Sequence, residues 1–156
     1  GSRKEEQSVD VKVKEERVLL RKEAAELAAQ YDEVILVGGL NHEHDSEGID
    51  RADMKLPYEQ DELIREVLKA NPNTVIVMMA GSPVEMGSWI KDAKAVVWNW
   101  YSGMEGGNAL AEVLFGRVSP SESCRKPSTK SIRTVLHMQS ENFRATKRCV
   151  IKKVFS

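Results

Sequence analysis

Cysteine is scarce in this chain, and so is any long apolar run. Only Cys124 and Cys149 occur among its 156 residues. Their spacing matches no metal-binding pattern and builds no disulfide framework, so both read as incidental thiols. No apolar stretch approaches the roughly 20 residues that a membrane helix needs, and the N-terminus lacks the apolar core of a signal peptide. Neither membrane insertion nor a membrane partner is therefore expected. Aromatic residues make up 6% of the chain. They are sparse in its most basic stretch, which weighs against an aromatic-rich nucleic-acid surface. What remains is the composition of a globular protein, 41% hydrophobic and 30% charged, long enough for one domain with a sizeable core.

The net charge of −1 conceals an imbalance. Residues 117–156 carry a net +8 and residues 1–116 a net −9. A basic end of this kind can bind an acidic surface, or it can be foreign to the domain.

Residues 1–13 are charged and weakly patterned, and read as a lead-in. The opening Gly1-Ser2 resembles a tag remnant, which places the natural start elsewhere. "EERVLLRKEAAELAAQ", 15–30, is rich in helix formers. "EVILVGG", 33–39, is a short apolar run closed by glycines, as expected of a buried parallel strand. "EQDELIREVLKA", 59–70, predicts a helix that Asn71-Pro72-Asn73 stops. "TVIVMMA", 74–80, predicts a second strand. "VEMGSWIKD" predicts a short helix, "KAVVWNW", 94–100, a third strand, and "NALAEVLF", 108–115, a helix ended by Gly116. Strand–helix alternation at this pace implies right-handed βαβ units and a parallel sheet. Three strands are few for an open α/β domain, so either the tail adds elements or the sheet is incomplete.

In such a fold the loops after the strands, 40–57, 80–84 and 100–107, leave from one edge, where ligands bind. Gly38-Gly39 lacks the third glycine and the immediate helix of a dinucleotide fingerprint. His42, Glu43, His44 and Asp45 have metal-binding chemistry, but four neighbours on one loop seldom converge on one ion. Ser82 and Ser102 have no His placed to activate them. Glu47, between Ser46 and Gly48 and just before Asp50-Arg51, is the residue of most interest. A carboxyl group held in a cleft is what general acid catalysis requires, although most exposed loop glutamates are idle.

Three stretches together carry a family resemblance: "DSEGIDRADMKLP", "ANPNTVIVMMAGSPVEM" and "WNWYSGMEGGNALAEVLFGRVSPS". Over about residues 24–121 their order and spacing resemble the second domain of glycoside hydrolase family 3 enzymes, especially β-glucosidases. The resemblance implies a three-layer α/β sandwich with a mainly parallel sheet, incomplete relative to the family domain, spanning residues 14–121. It implies that Glu47 is the general acid/base for cleavage of a β-linked glucoside or oligosaccharide. The nucleophile would come from an N-terminal (β/α)8 barrel that no part of this chain resembles. A retaining mechanism needs both carboxyl groups. The chain would then be a fragment, inactive alone and needing no cofactor or metal. Asp50 and Arg51 would fix the loop by a salt bridge or touch sugar. Trp100, Tyr101 and Glu105 would border an outer subsite or cap the following helix.

After Ser121 the family pattern stops, and residues 122–156 form a basic, non-family tail. A reading-frame slip accounts for both the departure and the charge switch. Read one base early from a TCG codon for Ser121, the next codons can spell Gly-Lys-Leu-Pro, as family members continue. "TVLHMQSENF" in this tail has helical character and would pack on the surface left bare by the barrel, or on a second copy of the chain. Two other readings compete with the enzyme fragment. One is a carbohydrate-binding module that uses Trp100 without catalysis. The other is nucleic-acid binding through the tail, which has no recognised module.

Overall fold

A computed structural model describes residues 2–48, 50–119 and 149–153. The elements run α1 (Ser2–Ala28), β1 (Glu33–Gly39), a 3₁₀ turn (Pro57–Glu59), α2 (Gln60–Ala70), β2 (Thr74–Met79), β3 (Ala95–Asn99), α3 (Gly106–Leu114) and β4 (Cys149–Lys153). The strands form one parallel sheet in the order β3-β2-β1-β4. Val34 is in register with Thr74, and Val75 with Ala95. β4 lies beside β1, with Glu33 opposite Cys149. The tail therefore supplies a fourth strand.

β1, β2 and β3 alternate their side chains between two cores, as the pleat requires. Val34, Leu36, Ile76, Met78 and Val96 face one layer, where they meet Ala24 and Ala28 of α1 and Leu63, Ile64, Val67 and Leu68 of α2. Ile35, Val75, Val77 and Val97 face the other layer, covered by Leu110 and Leu114 of α3. The architecture is the expected three-layer α/β sandwich.

Asn71 shows how one turn residue fastens two helices of one layer. Its Nδ2 donates to Ala28 O at 3.0 Å and to Tyr31 O at 2.7 Å, while its Oδ1 accepts from Asn73 N at 2.8 Å. The Asn-Pro-Asn stop signal thus also ties the end of α1 to the end of α2. At the far end of the domain, Gly116 takes φ +70° after α3. Its amide donates to Val113 O at 3.1 Å and that of Arg117 to Glu112 O at 2.9 Å, the paired bonds of a Schellman cap.

Three expectations are corrected. α1 is helical from Ser2 rather than from about residue 14, so the lead-in backbone belongs to the helix. The run 84–92 is irregular to Met86 and then forms successive turns over 87–92, not a helix. Gly87 and Ser88 are poor helix formers, and burial of Val84, Met86, Trp89 and Ile90 fixes the path instead. The third strand begins at Ala95 and ends at Asn99, so Trp100 belongs to the loop. The "TVLHMQSENF" stretch lies outside the described residues.

Candidate active site

The loops 40–57, 80–84 and 100–107 follow β1, β2 and β3, and they meet at the carboxyl edge of the sheet. Their meeting point is the Asp45 carboxylate. Tyr101 donates its hydroxyl to Asp45 Oδ2 at 2.7 Å, the Gly81 amide donates to the same oxygen at 3.2 Å, and the Ser82 hydroxyl donates to Oδ1 at 3.2 Å. One side chain from the first loop thereby holds both of the others. Gly81 is required there, because a Cβ would sit 2.7 Å from the Tyr101 ring and 3.0 Å from Asp45 Oδ2.

These bonds set the local electrostatics. The Tyr101 hydroxyl holds the Asp45 carboxyl below its ordinary range. Desolvation opposes this as the next largest effect, and Ser82, Gly81 and the charge of Arg51 each add a smaller lowering. Burial of the Tyr101 hydroxyl pushes that phenol up, and the Asp45 carboxylate pushes it further.

Arg51 anchors the loop a second time. Its Nη1 donates to Ser82 Oγ at 3.2 Å and to Pro83 O at 3.0 Å, and its Nη2 donates to Lys55 O at 3.0 Å. The expected Asp50–Arg51 salt bridge is absent among the described residues. Asp50 is exposed, and Arg51 spends its donors on the loop after β2. Three carbonyl and hydroxyl oxygens fit a planar guanidinium fork better than one adjacent carboxylate that would need the backbone to double back.

Glu47 lies between the two anchors, with Gly48 beside it at φ +80°. Its side chain is exposed, and no hydrogen bond or ion pair engages its carboxylate among the described residues. The fold therefore presents a free acid on a loop tethered on both sides.

The base of the loop is built from Asn41. Its Oδ1 accepts from Glu43 N at 3.2 Å and pairs with His44 Nδ1 at 2.8 Å, and its Nδ2 donates to Tyr58 Oη at 3.1 Å. Tyr58 donates to Glu43 Oε2 at 2.7 Å, and this bond raises the phenol above its ordinary range. Tyr58 and Glu59 both take positive φ, 58° and 57°. Such backbone strain in non-glycine residues persists only where the surroundings hold it. Here Arg17 stacks over the Tyr58 ring at 5.5 Å, and Arg21 pairs with Glu59. His44, Glu43 and Asp45 point to three different partners. No group of three or more His, Cys, Asp or Glu side chains arranged to hold a metal occurs among the described residues.

On the third loop Trp100 and Tyr101 are exposed, as is Met104, completely. Trp100 rests edge-on against Trp98, with ring centroids 5.7 Å apart. Glu105 immediately precedes α3 and accepts from Asn108 Nδ2 at 2.6 Å, at the helix end that favours negative charge. Sequence reasoning placed the three loops together but missed Asp45, Ser82 and Tyr101 as the groups that join them. The available signal was their position, each within a few residues of a strand's carboxyl end.

Comparison with known proteins agrees with this geometry. The pattern of the glycosyl hydrolase family 3 C-terminal domain matches residues 7–146. A β-glucosidase from Kluyveromyces marxianus is 55% identical over 98 residues, covering 63% of this chain. One from Rhizobium radiobacter is 50% identical over 99 residues, covering 64%. The crystal structure of the Kluyveromyces marxianus β-glucosidase in complex with glucose superimposes with a TM-score of 0.64 at 53% identity over 66% of this chain. The DesR β-glucosidase from Streptomyces venezuelae, in complex with D-glucose, gives 0.58 at 37% identity over 63%. The chain spans 12% of the length of each of these relatives. With the sandwich, its loop-bearing edge and this match in agreement, the chain belongs to the glycosyl hydrolase family 3 C-terminal domain family.

Proposed function

We propose that this domain supplies the general acid/base of a retaining β-glucosidase-like hydrolase, and that Glu47 is the group. The observation that carries the reading is the state of Glu47: an exposed carboxylate with no hydrogen bond or ion pair among the described residues, on a loop anchored before and after it by Asp45 and Arg51. An idle surface glutamate needs no anchored loop, whereas Glu47 is held on one. A proton donor for an external substrate must remain unengaged until the substrate arrives.

In this scheme Glu47 protonates the glycosidic oxygen as the bond to the anomeric carbon breaks. The nucleophile, a carboxylate on a separate barrel domain outside this chain, captures the sugar. Glu47, now ionised, removes a proton from water as water displaces that carboxylate. The isolated chain, having one of the two groups, does not turn over β-glucosides. The stretch after about residue 121 has no assigned part in this chemistry. The reading-frame interpretation of it is tested by the gene, which must encode Ser121 as TCG.

The experiment is a chimera in which residues 24–121 replace the matching stretch of the Kluyveromyces marxianus β-glucosidase. Glu47→Gln in that background should lower hydrolysis of an unactivated β-glucoside by about 10²–10⁴-fold. With an aryl glucoside whose leaving group needs no protonation, added azide should restore turnover, because azide attacks the glycosyl-enzyme without a general base. Unchanged hydrolysis after Glu47→Gln would refute the assignment.

One observation favours a second reading. Trp100, Tyr101 and Met104, within five positions on the third loop, each expose apolar surface of the kind a sugar face requires. Glucoside binding by the isolated chain that is lost in Trp100→Ala, together with a Glu47→Gln chimera of full activity, would make this a binding module.

A further inference from the structure

The two tethers that flank Glu47 share one atom. Ser82 Oγ donates to Asp45 Oδ1 at 3.2 Å and accepts from Arg51 Nη1 at 3.2 Å. Asp45 stands two positions before Glu47 and Arg51 four positions after it. The two arms of the loop therefore meet directly at one clasp, the Ser82 hydroxyl on a different loop, at the end of β2. Three further bonds fix the clasp to the sheet edge. Asp45 Oδ2 accepts from Gly81 N at 3.2 Å and from Tyr101 Oη at 2.7 Å, and Arg51 donates to Pro83 O at 3.0 Å. β2 itself is nearly buried throughout, and Val77, Met78 and Ala80 have no exposed surface. The clasp thus stands three residues beyond a deeply buried strand, while the segment it encloses has an exposed glycine, Gly48, with nothing near its Cβ direction.

We propose that Ser82, through the Asp45–Ser82–Arg51 chain latched by Tyr101, is a positioning residue for Glu47, setting where the carboxyl group stands without touching it. This deepens the assignment of Glu47 and rests on it for its functional meaning, but the clasp itself is a property of the loop that can be measured separately. Hydroxyl chemistry is specific here. Ser82 must donate to a carboxylate and accept from a guanidinium at once, which a hydroxyl does and a methyl group does not. Removal of the hydroxyl takes away the direct link between the arms and leaves Asp45 on Gly81 N and Tyr101 Oη alone and Arg51 on Pro83 O and Lys55 O alone. That predicts a loss of loop order without a loss of fold.

The test is backbone ¹⁵N relaxation on the full chain, comparing the wild type with Ser82→Ala, Ser82→Thr and Glu47→Gln, with thermal unfolding of each. In the wild type the Ser46, Glu47 and Gly48 amides should have order parameters near those of rigid backbone, about 0.85. Ser82→Ala should lower them below about 0.6, with the β2 amides unchanged and the unfolding temperature within about 2 °C. Ser82→Thr, which keeps the hydroxyl, should restore order, and Glu47→Gln should leave it untouched. Loop amides that stay rigid in Ser82→Ala, or that are already mobile in the wild type, would overturn the proposal. So would a general softening that includes β2, since that is a stability effect. If the clasp behaves as stated while Glu47→Gln in the chimera keeps full activity, the clasp stands and the acid/base assignment fails.

Discussion

Gln60 bonds to Gly39 as a neighbouring strand would. Its Nε2 donates to Gly39 O at 2.8 Å, and its Oε1 accepts from Gly39 N at 2.8 Å. Gln60 is 2% exposed and opens α2, so the first residue of the helix caps the last residue of β1 across the whole intervening loop. The loop that carries Glu47 therefore starts and finishes at one amide pair.

Gln60→Ala should destabilise the domain by about 2 kcal/mol, because it leaves a part-buried donor and acceptor of Gly39 unpaired. Gln60→Glu keeps the acceptor for Gly39 N but turns the donor into an oxygen facing Gly39 O, so it should cost at least as much at neutral pH. Urea unfolding midpoints check both. Equal midpoints for wild type and Gln60→Ala would show that water replaces the amide at no cost.

Two glycines should respond oppositely to one added methyl group. Gly39 has φ +142°, and a Cβ there would lie 1.9 Å from Met79 O, a backbone atom of the central strand. Gly39→Ala should lose about 4 kcal/mol or more, in the range that abolishes folding for a marginal domain. Gly107, inside α3 with nothing within 4 Å of its Cβ direction, should gain about 0.5 kcal/mol as Gly107→Ala. Soluble yield and thermal unfolding separate the two outcomes.

Much of this architecture is legible in the residues. The runs 33–39 and 74–79 are apolar and rich in β-branched side chains because both faces of a parallel strand are covered, and their bounds match the strands closely. Asn71-Pro72-Asn73 marks a helix end by chemistry that the structure uses directly. The run 84–92 was less legible. Met86, Trp89 and Ile90 fall at helical spacing, yet the packing that buries them is tertiary, and two poor helix formers sit between them. In the site, the meeting of the three loops follows from strand direction. The particular bonds do not. Nothing local says that Asp45 reaches Tyr101, 56 positions away, or that Arg51 prefers Ser82 and Pro83 to its neighbour Asp50.

Arg21 should matter more than an ordinary surface cation. Its guanidinium pairs with Glu59 and approaches Glu66 Oε1 at 3.6 Å, joining α1 to the strained entry of α2, and its side chain is only 14% exposed. Arg21→Met keeps the apolar stem but removes both pairs, so it should cost about 1 kcal/mol, near the upper end for ion pairs of this exposure. The loss should shrink in 1 M salt in the wild-type comparison, since screening weakens the same pairs. A loss that does not change with salt would assign the effect to packing.

Two aspartates should give the domain opposite responses to acid. The Asp45 carboxyl is held below its ordinary range, first by the Tyr101 hydroxyl. Its bonds therefore contribute stability that is present above the unfolded value, about 3.9, and is lost as pH falls through the lower folded value. Asp61 is shifted the other way. Burial raises it, and the Trp89 indole, which donates to its Oδ1 at 2.7 Å, opposes the rise only in part. Asp61 thus favours the folded state most when protonated, a contribution fully present below the unfolded value and lost as pH rises through the folded one. Asp61→Asn keeps an acceptor for Trp89 without a buried charge, so it should raise stability at pH 7 and bring no gain at pH 3. Asp45→Asn should lower stability at pH 7, with the deficit shrinking towards pH 2. Urea midpoints at pH 7, 5 and 3 read both trends. A gain from Asp61→Asn that is the same at every pH would place its cause in packing rather than in the charge.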